Sequence, residues 1–325
     1  MKIAVVGCGA LGSYYGACLS RSGHETHFLL RSDFAAVREH GVRIHSAGGD
    51  FVARPNCATE PRDIGPADLV LIGLKATANA QFPALLPPLV SEHTAVLTLQ
   101  NGLGNEESLA ALLRPHQVLG GLCFVCLNRV APGVIQHLAH GRIVLGEFQR
   151  PALPRTHAIA RAFQEATIPC EVTDQLARAH WQKLVWNIAF NGLGVASAAR
   201  LDALLQPDRS IRRTAPCLTT DRLLADERWL ALVRELMAEV VRAAAALGHD
   251  LPADSVEQQI ARTREMGAYR PSTLIDFERG QPLELDALFL EPLRQARAAR
   301  VATPRLEALS RVLVALAERH GPKPE

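Results

Sequence analysis

The stretch KIAVVGCGALGSYYGACLS, residues 2–20, decides how the chain is read. Lys2–Val6 is a mostly apolar run with the length and β-branched content of a buried strand. Gly7-Cys8-Gly9-Ala10-Leu11-Gly12 follows at once and fits G-x-G-x-x-G, and the residues through Leu19 read as a helix. A strand–turn–helix unit of this kind can cradle phosphate. Gly7 permits the tight turn, Gly9 withholds a side chain where a pyrophosphate would approach, and Gly12 lets the helix lie close on the strand. Unpaired N–H groups at the positive end of the helix dipole then face the diphosphate. Gly7, Cys8, Gly9, Ala10, Leu11 and Gly12 are therefore candidate cofactor-binding residues. The bland alternative is a glycine turn with no ligand; the position of the pattern on the first strand favours a dinucleotide.

Outward from this unit, His27–Leu30, Leu69–Leu74, Ala95–Leu99, Val118–Leu127, Val134–Leu138 and Arg142–Leu145 read as further strands. Helical stretches such as Ser32–Glu39 and Glu106–Leu113 separate them. The alternation predicts a mostly parallel α/β sheet, and the short connections between the last three strands predict an antiparallel edge. After Asp174 helical periodicity takes over, in Ala177–Ala198, Trp229–Leu247 and Pro304–His320. The last of these opens with Thr303 as a candidate N-cap and Pro304 at the first helical position. The expected organisation is a Rossmann-type dinucleotide-binding domain over 1–173 and an all-α C-terminal domain over 174–325. Residues 206–228, of weak periodicity, read as a surface loop or a loosely packed helix pair.

The bulk composition removes several classes of function. A net charge of +2 gives little reason to expect nucleic acid or an anionic membrane as partner. No apolar run approaches the roughly 20 residues needed to cross a bilayer, and the N-terminus lacks the apolar region of a signal peptide. Seven cysteines at irregular spacing argue against a disulfide framework and for a reducing, cytoplasmic compartment. Cys123-x-x-Cys126 lies in an apolar strand, where residues three apart point to opposite faces, so it reads as two core cysteines. His137-x-x-His140 reads as a wet turn, and no metal site is expected. No isolated apolar stripe assigns an oligomer interface; a homodimer stays open.

The end of the second strand discriminates between dinucleotides. An acid there suits the ribose hydroxyls, and a basic residue suits a 2′-phosphate. Leu29-Leu30-Arg31 places a guanidinium at that position, which favours NADPH as cofactor; Asp33, two residues on, is the rival. Lys75, after Leu69–Leu74, offers a second positive charge or a solvated lysine. In the second domain, Lys183, Asn187 and Asn191 fall at i, i+4 and i+8 and make one polar stripe on a helix. Their neighbours Leu184, Val185, Ile188, Ala189 and Phe190 are apolar. A lysine in such company snorkels to water or faces a polar cleft, because burying an unpaired ammonium is costly. The functional reading is a general acid with two amides that hold a substrate.

These motifs, in this order and over nearly the whole chain, resemble the ketopantoate reductase family (2-dehydropantoate 2-reductases). The resemblance implies that Arg31 and Lys75 help to hold the cofactor, and that Asn101, in Gln100-Asn101-Gly102, lies near the nicotinamide and substrate. It implies Lys183 as general acid and Asn187 and Asn191 as substrate-binding amides. Ser272 and Glu284, twelve residues apart, complete the site, with Ser272 binding substrate and Glu284 orienting the lysine or binding a substrate hydroxyl. Local roles compete with these: Thr273-x-x-Asp276 can be a helix start, Glu284 can complement a helix dipole, and Asn101 can serve only its turn. The activity implied is NADPH-dependent reduction of a 2-keto acid, ketopantoate to pantoate first. The rivals are another 2-keto acid, a 3-hydroxyacid dehydrogenase, or an NADP(H)-binding sensor without turnover. Gly192, Gly194 and Thr273 depart from the residues the family more often has there.

Overall fold

The computed structural model describes residues 1–206 and 211–320. Two compact units divide between Leu176 and Ala177, three residues past the expected boundary. The first is built on one sheet of ten strands: β1 (Lys2–Val6), β2 (Glu25–Leu29), β3 (Val42–Ser46), β4 (Phe51–Ala53), β5 (Asn56–Ala58), β6 (Leu69–Ile72), β7 (Ala95–Thr98), β8 (Val118–Ala131), β9 (Val134–Glu147) and β10 (Cys170–Val172). Their order is β4-β3-β9-β8-β7-β6-β1-β2-β5, with β10 alongside β9. From β8 through β5 every neighbouring pair is parallel. Such strands are covered on both faces, which is why β1, β6 and β7 are unbroken apolar runs rather than alternating ones. Two apolar clusters result, one on each face: Val5, Phe28, Leu71 and Leu97 belong to one, and Val6, Leu29, Ile72 and Val96 to the other.

The expected antiparallel pair is β8 with β9, and it lies inside the sheet, because β3 pairs in parallel with β9; the edge beyond it is a second antiparallel pair, β3 with β4. Val134–Leu138 and Arg142–Leu145 are one strand. His137 and His140 therefore sit within β9, where His140 takes a φ of 65° and β8 shifts register. The His137 ring is tied on both sides, through Nδ1 to the Ser46 hydroxyl at 2.9 Å and through Nε2 to the His140 carbonyl at 2.8 Å. A local irregularity imitated a turn in the sequence. Cys123 is in the core, but Cys126 is half-exposed past the first register shift between β8 and β9. All seven cysteines are free. Burial pushes the Cys18 thiol to about 11 and the Cys170 thiol to about 12, so both stay protonated packing groups.

The second unit is helical among its described residues. Helix Pro304–His320 buries Leu306, Leu309, Val312, Leu313 and Leu316, one stripe at helical spacing, and helix Glu227–Ala246 buries Leu232, Val233, Leu236, Met237 and Val240 in the same way. Thr303 does not cap the C-terminal helix with its side chain: its buried hydroxyl has no hydrogen-bond partner among the described residues. The cap comes from Glu239 on the other helix, whose carboxylate accepts from the N–H groups of Arg305 and Leu306, both at 2.9 Å. Burial lifts the Glu239 carboxyl above the ordinary glutamate value, and those two N–H groups oppose the lift. Removing the carboxylate leaves two buried N–H groups without acceptors. Glu239→Ala is therefore expected to lose about 1–3 kcal/mol of unfolding free energy in a denaturant titration.

Part of the 206–228 segment is better packed than expected. Residues 207–210 lie outside the described residues, but helix Thr220–Ala225 buries Thr220, Leu223 and Leu224. Thr220 also bonds through its hydroxyl to the Gly267 carbonyl at 2.8 Å. Within the described residues no helix is long and apolar enough to cross a membrane.

Candidate active site

In the first unit, β2, β1, β6 and β7 are adjacent and parallel, so their carboxyl ends share one edge of the sheet. The chain leaves β1 toward β2 on one side, while β6 flanks the other side; ligands bind parallel α/β sheets at such switch points. Gly7 stands there with φ 94°, and a Cβ on it would lie 2.3 Å from the Leu74 nitrogen and 2.6 Å from the Gly73 carbonyl carbon. A Cβ on Gly12 would lie 2.2 Å from the Gly7 oxygen. Gly73 completes this contact, since its own Cβ would fall 2.8 Å from the Gly12 Cα. The sequence reading missed Gly73. Its signal was a glycine directly after an apolar strand.

Gly9 is different, because a Cβ there would meet nothing within 4 Å. Helix Ala10–Arg21 begins beside it with no side-chain cap and no acid in its first turn. A helix start leaves its first N–H groups without intrahelical partners, so an open, electropositive notch faces outward at Gly9. That is the shape and charge a diphosphate needs. The residues present thus fit a dinucleotide. Cys8 does no chemistry in this arrangement: burial, with Cys57 and Asp33 nearby, holds its thiol well above its usual value.

The structure separates Arg31 from its rival. Strand β2 spans Glu25–Leu29 rather than His27–Leu30, so Arg31 lies two residues beyond it, exposed and with no ion pair among the described residues. Asp33 is buried, 4% exposed, and its carboxylate is committed elsewhere. It accepts from the Gly133 N–H at 3.0 Å and from the Ser32 hydroxyl at 2.9 Å, and faces Arg129 at 3.4 Å. An acid held this way serves the loop between β8 and β9. Lys75 is exposed and opens a 3₁₀ helix, Ala76–Gln81, because β6 ends at Ile72 rather than Leu74. Asn101 is half-buried in the turn that follows β7, ahead of helix Asn105–Leu112.

In the second unit, Ala177–Ala198 is not one α-helix. Helix Leu176–Trp186 passes into a π-helical turn over Asn187–Asn191 and resumes as α over Gly192–Ala196. Such turns recur at functional sites because they rotate the side chains that follow. Lys183 is half-buried between the buried Trp181 and Leu184, one turn before Asn187. Asn187 and Asn191 are 7% and 3% exposed, and Asn191 Nδ2 donates to Asn187 Oδ1 at 3.3 Å. Asn191 Oδ1 accepts from the Thr273 N–H at 3.0 Å and from the Ser272 hydroxyl at 3.4 Å. The Asn191 amide thus caps helix Ser272–Glu278 and joins Asn187 to Ser272 in one line. Both ends of that amide are engaged within the protein. Thr273 is buried and supplies a main-chain donor here, rather than starting a capping box with Asp276.

Glu284 is half-buried immediately before the helical turn that starts at Leu285, and its carbonyl accepts from Leu288 N–H at 3.2 Å. A second π-helical turn, Asp286–Leu290, follows it. Gly192 and Gly194 are explained by packing. A Cβ on Gly192 would lie 2.6 Å from Leu309 Cδ2 and 2.9 Å from Phe289, and one on Gly194 would lie 3.1 Å from Leu274. Each of the two units therefore gathers its own share of the residues singled out in the sequence. Among the described residues, no group of three or more His, Cys, Asp or Glu side chains could hold a metal ion.

Comparison with known proteins identifies the family. Residues 3–150 match the family described as ketopantoate reductase PanE/ApbA, and residues 214–317 match its C-terminal region. The chain is 38% identical over 314 residues to a 2-dehydropantoate 2-reductase of Nostoc sp., covering 95% of this chain and 92% of that one. It superposes on the crystal structure of a 2-dehydropantoate 2-reductase from Geobacter metallireducens with a TM-score of 0.87 at 43% identity, covering 98% and 99% of the two chains. A D-mandelate dehydrogenase solved with NADH and anilino(oxo)acetate shares the fold at 21% identity and a TM-score of 0.82, with 98% and 99% covered. With both parts of the family matched and a curated relative aligned over almost the full length, the chain belongs to the ketopantoate reductase family of oxidoreductases.

Proposed function

We propose that the protein reduces a 2-keto acid to the 2-hydroxy acid with NADPH, and that the acid is 2-dehydropantoate, reduced to pantoate in pantothenate biosynthesis. The observation that carries the reading is the line Lys183, Asn187, Asn191, Ser272 in a chain of this family. An apolar helix has no need of an ammonium followed by two hydrogen-bonded amides, the second of them bonded to Ser272 on another helix.

NADPH, when bound, supplies the hydride to the keto carbon. Lys183 then protonates the keto oxygen and, before the proton moves, stabilises the charge that grows there. Glu284 orients the ammonium or holds a substrate hydroxyl. Asn101 and Asn187 bind substrate, Ser272 binds its carboxylate or hydroxyl, and Asn191 sets the positions of Asn187 and Ser272 through the amide bonds described above. Gly7 through Gly12 receive the diphosphate at the notch beside Gly9, and Lys75 adds positive charge. Arg31 grips the 2′-phosphate, a reading supported by its exposure and by the commitment of Asp33 to Gly133 and Arg129. The seven free cysteines fit a reducing, cytoplasmic setting.

The test is NADPH oxidation across branched 2-keto acids, ketopantoate first, repeated with NADH. Reduction of ketopantoate with the highest kcat/KM supports the assignment. Tight NADPH binding without reduction of any 2-keto acid points to a sensor, and turnover confined to 3-hydroxyacids removes the 2-keto reading. Arg31→Ala is expected to weaken NADPH while leaving NADH nearly unchanged, by about 1.5–3 kcal/mol or roughly 10- to 150-fold in Kd for one charged hydrogen-bond partner. Equal losses for both nucleotides would show that Arg31 does not read the phosphate.

A further inference from the structure

Four hydrogen bonds run head to tail at the carboxyl edge of the first unit's sheet. The Thr98 hydroxyl donates to Gln100 Oε1 at 2.9 Å, and Gln100 Nε2 donates to Asn79 Oδ1 at 2.7 Å. Asn79 Nδ2 donates in turn to Asn105 Oδ1 at 2.9 Å, and Asn105 Nδ2 donates to the main-chain carbonyl of Asn101 at 3.0 Å. Each amide accepts from one side and donates to the other, so flipping one alone would set oxygen against oxygen or NH₂ against NH₂. Thr98, Gln100 and Asn105 are 0%, 5% and 1% exposed, and water is largely kept from competing for these bonds.

The line joins three elements: the end of β7, the 3₁₀ helix that begins just after Lys75, and the first residue of helix Asn105–Leu112. It closes on the turn that carries Asn101. That turn contains Gly102 at φ 90° and Gly104 at φ 86°, residues whose own backbone preferences restrain it little. Something outside the turn has to hold Asn101 in one place, and the amide line is bonded to its carbonyl.

We propose that Asn79 and Asn105 are positioning residues, which lock the Asn101 turn in a single conformation and tie it to the Lys75 turn. The inference rests on the reading of Asn101 as a substrate-binding group and of Lys75 as a cofactor-binding one. Neither Asn79 nor Asn105 touches substrate in this scheme. They act through Asn101: without the line the Asn105 amide no longer holds the Asn101 carbonyl and the two-glycine turn is loosened. A misplacement of about 1 Å at a reacting centre costs on the order of 10²-fold in rate.

Two variants interrupt the line at different points. Asn79→Ala removes a half-buried link between Gln100 and Asn105. Asn105→Asp keeps the shape and the acceptor for Asn79 but has no donor for the Asn101 carbonyl when ionised. Hydrogen exchange is followed in peptides covering residues 101–104 and, as control, residues 2–6; kcat, KM for the keto acid and the NADPH Kd are measured beside it. Both variants are expected to exchange faster at 101–104 with residues 2–6 unchanged. Both should lose about tenfold or more in kcat/KM for the keto acid, with little change in NADPH affinity. The double variant is expected to lose no more than the more damaging single, because one line is cut either way.

Unchanged exchange at 101–104 overturns the proposal. So does wild-type kcat and KM alongside a lowered melting temperature, which is what a merely structural role produces. Failure of the functional reading looks different: the wild-type protein itself then turns over no 2-keto acid, and the exchange comparison still decides whether Asn79 and Asn105 hold the turn.

Discussion

Lys183→Ala is expected to lower kcat for the preferred keto acid by about 10²–10⁴-fold, the range that a positioned general acid contributes. The dissociation constant for NADPH should stay close to that of the unaltered protein, because the proposed dinucleotide site, Gly7–Gly12, belongs to the first unit and Lys183 to the second. The split between kcat and cofactor affinity is what the experiment reads. An alanine at this position removes an ammonium and shortens a side chain that is only half-buried, so stability should change little. Stopped-flow transfer from NADPH separates the chemical step from product release, and the loss should appear in the chemical step. Turnover near the unaltered rate would remove Lys183 from the mechanism and leave its helix with a solvated lysine.

The glycine turn carries the second large effect, and its three positions should fail in two different ways. Gly7→Ala places a Cβ 2.3 Å from a main-chain nitrogen, in a backbone conformation that L side chains rarely adopt. Left-handed strain and overpacking of main chain add, so a loss of about 3 kcal/mol or more in stability is expected. Gly12→Ala should behave alike, with its Cβ 2.2 Å from the Gly7 oxygen. Gly9→Ala meets no protein atom within 4 Å, and its melting temperature should match that of the unaltered chain. The methyl group would instead occupy the notch where the diphosphate is received. An overpacking penalty of about 1–3 kcal/mol corresponds to roughly 5- to 150-fold in NADPH Kd. Thermal melts with and without NADPH distinguish the two kinds of loss. A Gly9→Ala protein that binds NADPH normally would show that the notch is not the diphosphate site.

The first unit was legible because its signals are local. A glycine turn between an apolar strand and a helix is marked by spacing alone, and the parallel strands are apolar throughout because both faces are covered. The short strands were not legible. Three-residue strands such as β4 and β5 have too few residues for a period to show, and their existence depends on a neighbour with free backbone groups. The long β9 was read as two strands because its bulge at His140 interrupts the alternation in the sequence without ending the pairing. The cap of helix Pro304–His320 was assigned to the adjacent Thr303, yet the acceptor is Glu239, distant in sequence. Local rules find local partners.

The candidate site divides in the same way. Spacing alone placed Lys183, Asn187 and Asn191 on one helix, and the glycines, Arg31 and Lys75 after strands; Asn101 came from the family resemblance. By itself the sequence determined the fold class and the family, and it singled out a candidate dinucleotide cradle and candidate site residues, because each depends on residue type and separation along the chain. Only the tertiary structure decided that Asp33 is bound to Gly133 and Arg129 and not left open to a ribose. It alone showed that Asn191 holds Ser272 and Thr273, that a π-helical turn carries both asparagines, and that Asn79, Gln100 and Asn105 brace the Asn101 turn. Apart from the π-helical turn and the Asn105–Asn101 bond, these are hydrogen bonds between groups far apart in the chain. Which acceptor a buried donor finds is set by the packing that brings them together, and no pattern along the sequence records that packing.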